Sequence, residues 1–345
     1  MALCVGCEEK GDSDSAVAFA SVQPGKTLTK IAIGSCAHEG KSQPIWDPIV
    51  AEQPDLFLFL GDNIYGDTED MAVMREKYGK LAAKEGYQKL RETCPVLAVW
   101  DDHDYGVNDG GAEYPMKVES EAEFHAFFQT PEDAPSRGRP GIYEADLFGP
   151  EGRRTQIIRL DTRYFRSELV ALPKKTPDGP YDRNTDPAAT MLGEAQWKWL
   201  ADQLEVPADL RIIASSIQVI PQDHKWELWE NMPLERARLF KLLGGKSAGN
   251  VIFVSGDRHM GEISVLKTDD PTSPGFPLYE LTSSGLTNAG GGRAGEVNRH
   301  RIENTTNFQK RNYGMVRIDW AKQTVNLELR DVEGKLAQEF SVPLK

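Results

Sequence analysis

The chain has 345 residues, of which 39% are hydrophobic and 27% are charged, an ordinary globular composition. A chain of this length can bury a core without disulfides or structural metals, so we expect any metal to serve chemistry. Lys and Arg number 40 against 53 Asp and Glu, and the net charge of -13 disfavours nucleic acid as a partner, because duplex binding depends on neutralising phosphates. The four cysteines are too few for a disulfide framework, although Cys36 and Cys94 could pair.

The N-terminal residues allow two interpretations. A short apolar stretch ends at Cys7 and is followed at once by small polar residues. It resembles the end of a bacterial lipoprotein signal, which would place the protein in the periplasm or at the cell surface with a lipid on Cys7. The alternative is a tail without function. We predict a lipoprotein-like N-terminus and flexible linker over residues 1–28, and a single domain over residues 29–345.

Apolar runs and helical patterns alternate along most of the domain. Strands are predicted at residues 31–33, 56–60, 96–100, 155–160, 210–214 and 251–254, and helices at residues 71–92, 192–204 and 234–243. The run at 56–60 shows no polar alternation, which is typical of a strand buried on both faces. This order of elements predicts an α/β fold with a mixed or parallel sheet.

The C-terminal part follows a different pattern. Residues 313–319, 324–330 and 336–342 alternate apolar and polar side chains and are separated by short turns. This alternation predicts an antiparallel meander that packs one face on the core. Residues 109–141 and 173–187 are rich in Gly, Pro and charge, and we expect them to form long surface loops beside a functional site.

Four of the predicted strands are followed by polar residues that can bind metals. One such ending is often only a helix cap or a turn. In open α/β sheets, however, ligands bind outside the carboxyl ends of the strands, so a repeated pattern predicts a common site. The residues are Cys36 after the first strand, Asp62 and Tyr65 after the second, Asp102 and His103 after the third, and Asp257 and His259 after the last.

The residue types match a site for two metals. Carboxylates suit hard cations, whereas thiolate and phenolate suit a more oxidising centre such as iron. The carboxylate of Asp62 can bridge two cations, and such a pair can hold a hydroxide and the oxygens of a phosphoryl group. Bound cations would also offset the acidic charge of the protein toward an anionic substrate.

The motifs as an ordered set resemble those of the PhoD-like phosphatases, a branch of the calcineurin-like metallophosphoesterases. The resemblance implies a sandwich of two mixed β-sheets flanked by helices, and hydrolysis of phosphate mono- or diesters by a hydroxide held between two metals. It extends from Lys30 to Leu344 and is carried by Gly34-Ser35-Cys36, Gly61-Asp62-Asn63-Ile64-Tyr65-Gly66-Asp67, Trp100-Asp101-Asp102-His103-Asp104, Asp161-Thr162-Arg163 and Ser255-Gly256-Asp257-Arg258-His259.

The resemblance also implies individual roles. Cys36 stands at the first metal position, where the wider superfamily has an aspartate, and Tyr65 would bind the same metal. Asp102 stands where the wider superfamily has an asparagine ligand, and its added negative charge favours Ca²⁺ there, with Fe³⁺ at the thiolate. The implied metal ligands are Cys36, Asp62, Tyr65, Asp102, Asp257 and His259.

Three residues are candidates for catalysis. His103 would donate to the leaving group, unless it is a structural histidine in a turn. Asp104 would fix the tautomer of His103 or cap the next segment. Arg163 would bind a phosphoryl oxygen or pair with a nearby carboxylate such as Asp161.

Two other functions use the same residues. A phospholipase D-like or phosphotriester hydrolase would keep the metal site and change only the loops that select the substrate. A non-catalytic surface lipoprotein would use the fold for binding, although buried carboxylates are costly to hold together without a use for them.

Overall fold

The computed structural model describes residues 19–245, 249–291 and 295–345. The signal predicted around Cys7 lies outside these residues and stays a prediction. Within the described ranges, none of the helices is long and apolar enough to cross a membrane. Cys36 and Cys94 are both buried free thiols, so the disulfide that the sequence allowed between them is absent.

Two six-stranded mixed sheets form the centre of the fold, in the orders β14-β13-β12-β1-β2-β3 and β10-β11-β9-β8-β5-β4. A two-stranded ribbon, β6–β7, stands apart from them. The strands are β1 (Lys30–Gly34), β2 (Leu56–Leu60), β3 (Val96–Val99), β4 (Glu144–Phe148), β5 (Thr155–Arg159), β6 (Val170–Thr176), β7 (Gly179–Asp182), β8 (Leu210–Ala214), β9 (Val251–Ser255), β10 (Gly261–Leu266), β11 (Leu278–Ser283), β12 (Asn312–Asp319), β13 (Thr324–Asp331) and β14 (Leu336–Pro343).

The predicted sandwich of two mixed sheets is confirmed. Strands β1, β2 and β3 are parallel neighbours, and every residue of β2 is buried, as its unbroken apolar run indicated. The predicted meander is β12–β13–β14, which joins the first sheet through antiparallel pairing of β12 with β1. Side chains from both sheets, such as Ile33, Phe59, Ile212 and Val254, share one buried cluster.

Helices cover the outer faces of the sheets. They are α1 (Trp46–Ala51), α2 (Met71–Ala82), α3 (Glu85–Thr93), α4 (Asp102–Tyr105), α5 (Lys117–Phe127), α6 (Gly193–Gln203) and α7 (Pro233–Gly245). A second buried cluster lies beneath α6 and α7 and includes Trp197, Leu200, Leu239 and Phe240. The predicted strands and the two later helices end within two residues of the observed ones.

The single helix predicted over residues 71–92 is wrong, because the chain breaks between α2 and α3 at Lys84, whose backbone is extended. Gly86, two residues after the break, weakens the helical propensity there but does not by itself end a helix. The two halves pack on different neighbours: Tyr78 of α2 stacks on Phe127 of α5 at 4.3 Å, whereas Tyr87 of α3 packs on Trp46 of α1 at 5.5 Å. Tertiary packing therefore overrides the helical propensity of the junction.

The two predicted long loops are also corrected. Residues 109–141 contain α5, whose Phe124 packs against Trp100 at 5.5 Å, although Gly, Pro and charge dominate the segment. Residues 173–187 overlap the ribbon β6–β7. Both elements depend on contacts with distant parts of the chain, which local composition does not reveal.

Gly61 and Gly79 differ in whether the fold requires a residue without a side chain at that position. Gly61 has a φ of +93°, and a Cβ there would lie 2.4 Å from Asp101 Cβ, whereas a Cβ on Gly79 inside α2 would meet no atom within 4 Å. We expect Gly61→Ala to lower the free energy of unfolding by about 2 kcal/mol or more, and Gly79→Ala to raise it by about 0.5 kcal/mol. Urea denaturation of both variants measures this, and equal changes would contradict the assignment.

Candidate metal centre

The polar residues predicted to bind metal follow the carboxyl ends of neighbouring strands. Cys36 follows β1, Asp62 follows β2 and Asp102 follows β3 in the first sheet, while Asp257 follows β9 in the second. Because β1, β2 and β3 are parallel, their carboxyl ends lie at one edge of the sheet. The site therefore forms where the ends of the two sheets meet.

Several of these residues adopt a left-handed backbone that L-residues rarely take. The φ angles are 62° at Cys36, 51° at Asp62, 64° at Asp257 and 53° at His259. Hydrogen bonds from other segments support them: the Cys36 carbonyl accepts from the backbone N–H of Thr287 at 3.1 Å. Such strain persists only where surrounding structure enforces it, and it concentrates at functional sites.

The first group of potential ligands consists of Cys36, Asp62 and His259, with one ligand atom from each lying within 4.8 Å of the others. The Cys36 thiol donates to Asp62 Oδ2 at 3.2 Å. Tyr65 joins this group, because its hydroxyl donates to Asp62 Oδ2 at 3.3 Å and lies 3.1 Å from His259 Nε2. A thiol, a carboxylate, an imidazole and a phenol thus converge.

The second group consists of Asp62, Asp102 and His103, whose ligand atoms also lie within 4.8 Å of one another. Asp62 belongs to both groups, as a bridging carboxylate would. Its Oδ1 atom and Oδ1 of Asp102 are buried and accept no hydrogen bond from the described residues. An unsatisfied buried carboxylate oxygen is costly, and a cation would satisfy it, so these residues fit bound metals.

Asp257 lies outside both groups. Its negative charge nevertheless helps to raise the pKa of Cys36, which places it near the first group. The two residues that follow it in the motif differ in position: Arg258 is fully buried, and His259 lies in the first group. Ligation by Asp257 stays a prediction.

The electrostatics of the two groups favour a bound cation. Burial raises the pKa of Cys36 to about 11, with a further contribution from Asp257. Burial, followed by the charges of Cys36 and Asp102, raises the pKa of Asp62 well above its usual value. Both acids therefore resist ionisation in this arrangement. A neighbouring cation would stabilise the thiolate and the carboxylate and lower both pKa values.

His103 is oriented by Asp67 and not by Asp104. Its Nδ1 atom lies 2.6 Å from Asp67 Oδ1. Asp104 instead accepts hydrogen bonds from the backbone N–H groups of Asp62 at 2.9 Å and Asp101 at 2.8 Å, so the structure shows the capping alternative. Sequence reasoning missed Asp67, although it lies in the motif that begins at Gly61.

The charge of His103 follows from its neighbours. Burial opposes protonation, but the carboxylates of Asp62, Asp102 and Asp67 prevail and raise the pKa of His103 to about 11. Because Asp67 engages Nδ1, the Nε2 nitrogen is the one left to donate a proton to a substrate. The ring of His103 also packs against that of Tyr65, with centroids 4.3 Å apart and the planes tilted by 33°.

Arg163 is fully buried and paired with carboxylates. Its Nε donates to Asp101 Oδ1 at 2.7 Å, and its two terminal nitrogens donate to Glu227 at 2.7 and 2.9 Å. The guanidinium of Arg163 therefore forms an ion pair, as one alternative predicted, and its partners are Asp101 and Glu227. Asp161 instead accepts a hydrogen bond from the backbone N–H of Arg163, at 2.9 Å. Direct contact of Arg163 with a phosphoryl oxygen stays a prediction.

A third carboxylate group adjoins the second and was not foreseen. It consists of Asp102, Asp109 and Glu227, again within 4.8 Å of one another. Asp109 begins a segment that was predicted to be a loop, and Glu227 lies between the predicted strand at 210–214 and the predicted helix at 234–243. Neither the charge nor the spacing of these residues predicted the group, because residues 102, 109 and 227 come together only after folding.

The chain matches a known protein family and a curated relative. The family model for PhoD-like phosphatases matches residues 31–329. The chain is 23% identical over 313 residues to alkaline phosphatase D of Bacillus subtilis (strain 168), a match that covers 78% of this chain and 53% of the relative. The chain thus spans about half the length of this curated relative.

Solved structures share the fold. The structure of PhoD superposes with a TM-score of 0.72 at 18% identity, covering 95% of this chain and 72% of that chain. A dimetal phosphatase from Danio rerio superposes with a TM-score of 0.56 at 12% identity, covering 93% of this chain and all of the other, 100%. At these identities the likeness concerns the fold.

The shared position of Asp62 leads to a test of metal binding. We expect Asp62→Asn to lose metal from both ligand groups, because an amide cannot supply two anionic oxygens. The fold should persist, since the core does not depend on metal. Elemental analysis and circular dichroism of the purified variant measure these outcomes. Asp55→Asn, which alters a carboxylate bonded to the backbone of Thr29 and Lys30, serves as the control. Full metal content in Asp62→Asn would contradict the bridging role.

Proposed function

The chain belongs to the PhoD-like phosphatase family, and on that premise we propose that it hydrolyses phosphate mono- or diesters with the help of two bound cations. The observation that supports this proposal is the sharing of Asp62 between two groups of buried ligands. Two cations beside one carboxylate suit the two charged oxygens of a phosphoryl group.

Different residues would hold the two cations. Cys36, Tyr65 and His259 would join Asp62 around the first, which we propose to be Fe³⁺ because thiolate and phenolate suit an oxidising centre. Asp102 would join Asp62 around the second, which we propose to be Ca²⁺ because carboxylates suit hard cations. Asp257 would complete one of the two sets. When bound, such cations neutralise phosphoryl charge and lower the pKa of water.

His103 has the geometry of a general acid. Asp67 Oδ1 lies 2.6 Å from its Nδ1 atom, which fixes the ring and its tautomer, and neighbouring carboxylates favour the protonated imidazole by raising its pKa. Its remaining nitrogen can donate to the oxygen of the leaving group as the ester bond breaks. Because the leaving oxygen develops negative charge only in the transition state, this hydrogen bond strengthens there and accelerates the reaction.

Because the protein is acidic, binding an anionic phosphate ester requires positive charge near the site. The net charge of -13 repels a phosphate ester at long range. The buried cations Arg163 and Arg166 do not relieve this repulsion, since both lie within hydrogen-bond or ion-pair distance of Glu227. Bound metals are therefore the charges that would attract the substrate.

The proposed iron predicts a coloured protein. Thiolate and phenolate bound to ferric iron should give visible charge-transfer absorption, as expected from the ligand types. We expect Cys36→Ser to shift or remove the band and to reduce iron content, while Cys94→Ser, which alters the other buried thiol, leaves both unchanged. Absorption spectra and elemental analysis, together with hydrolysis of a chromogenic monoester and diester, test the proposal. A colourless and iron-free but fully active protein would refute the iron assignment alone.

The general-acid role predicts dependence on the leaving group. His103→Ala should lower kcat and kcat/KM together for alkyl phosphates by about 10²–10⁴-fold, the usual contribution of general acid catalysis. Activated aryl phosphates, which leave without a proton, should lose much less. Steady-state kinetics on both substrates measure this.

Metal content and a second variant complete this test. Both metals should remain bound in His103→Ala, and Asp67→Asn should show the same selectivity in weaker form, because it removes the charge beside Nδ1 but keeps an acceptor oxygen there. Loss of one metal in His103→Ala would make His103 a ligand. Equal slowing of good and poor leaving groups would make it a phosphoryl-binding residue.

A further inference from the structure

The ribbon β6–β7 lies directly against the segment that carries Glu227. The backbone N–H of Lys225 donates to the Asp178 carbonyl at 2.7 Å, and the N–H of Tyr181 donates to the Lys225 carbonyl at 3.0 Å. The contact is close because Gly179 lacks a side chain: with its φ of +137°, a Cβ there would lie 2.3 Å from the carbonyl carbon of Lys225. The position of the ribbon is thus tied to the edge of the metal centre.

The side chain of Tyr181 reaches from the ribbon into the third carboxylate group. Its hydroxyl donates a hydrogen bond to Oδ2 of Asp109. Asp109 is also held through its own carbonyl, which accepts from Arg166. Its φ of 55° lies in the left-handed region, which Asp and Asn adopt more readily than most other residues with a side chain.

Asp109 in turn determines which oxygen of Asp102 is available. Its backbone N–H donates to Asp102 Oδ2 at 2.8 Å. The other oxygen, Asp102 Oδ1, is buried and accepts no hydrogen bond from the described part of the chain. The hydrogen bond therefore occupies Oδ2, so that Oδ1, which lies 3.9 Å from Arg163 Nη2, is the oxygen that can also meet a cation beside Asp62.

We propose that Tyr181 is a positioning residue for the second metal, acting through Asp109 on the carboxylate of Asp102. The proposal rests on the proposed two-cation site and adds to it a residue that touches neither metal nor substrate. Mutating residues that orient a metal ligand typically costs about 10–100-fold in metal affinity. The ribbon, which local sequence described only as a loop, then becomes part of the metal site.

The test is the affinity of the full-length chain for Ca²⁺ after depletion with a chelator. Tyr181→Phe removes only the hydroxyl, and we expect its dissociation constant for Ca²⁺ to rise about 10–100-fold. Asp182→Asn is the matched control, because it alters the neighbouring residue of the ribbon and its 3.7 Å ion pair with Lys225 but leaves the Tyr181 hydroxyl in place. Its dissociation constant should stay within about threefold of the wild-type value, as expected for an exposed ion pair.

Two further measurements separate positioning from general stability. The thermal midpoint of metal-free Tyr181→Phe should stay close to that of the wild type. A lowered midpoint with unchanged Ca²⁺ affinity would make the role of Tyr181 structural and overturn the proposal. Asp109→Asn keeps the backbone N–H and tolerates a left-handed φ, so it should lose less affinity than Asp102→Asn. Equal losses would make Asp109 a ligand and also overturn the positioning role.

The proposed function and this inference fail in different ways. If the wild-type chain binds no divalent cation and hydrolyses no phosphate ester, the proposed function fails and the inference falls with it. If the wild type binds Ca²⁺ and is active, but Tyr181→Phe binds Ca²⁺ equally well, only the inference fails. A selective loss of Ca²⁺ affinity in Tyr181→Phe supports both.

Discussion

The buried carboxylate of Asp62 is the group on which the rest of the site depends. It lies out of water between a thiol and a second carboxylate, and burial raises its pKa well above the usual range. An anion in such a place needs cationic compensation or a proton. The surrounding structure keeps it there nonetheless, because its left-handed backbone is secured by a hydrogen bond from its N–H to Asp104 at 2.9 Å. This is a site formed for cations and maintained by the fold.

A buried ion-pair network holds the two sheets together beside this site. Asp101 follows β3 of the first sheet and Arg163 follows β5 of the second, with Arg163 Nε 2.7 Å from Asp101 Oδ1. Glu227 accepts from the other end of the same guanidinium. Breaking one partner of such a pair is costly because the other charge remains buried. The network therefore resists separation of the strand ends that carry the ligands, and Arg163 contributes to the site through this support.

Family membership supports the type of chemistry proposed for this chain, whereas the fold alone shows only the arrangement of strands and helices. Similarity to a dimetal phosphatase at 12% identity concerns the arrangement of strands and helices, and the same fold can serve different substrates. The particular character of this chain lies in what surrounds the strand ends: a thiol and a phenol on one side, carboxylates on the other. The ribbon carrying Tyr181 belongs to the second side, where it adds a constraint that strand-end motifs do not contain.

The sequence by itself determined where the buried strands lie and which potential ligands follow them. Unbroken apolar runs are local signals, and Cys36, Asp62 and Asp102 come within three residues after such runs. Helix ends and partners depend on packing between distant segments, so the break at Lys84 was not predicted, although Gly86 weakens the helix close to it. For the same reason Asp67 and Tyr181 were missed, since a hydrogen bond to His103 or to Asp109 joins residues 36 or 72 positions apart. Only the tertiary structure brings such groups together, because side-chain hydrogen bonding acts over a few ångströms, whatever the separation along the chain.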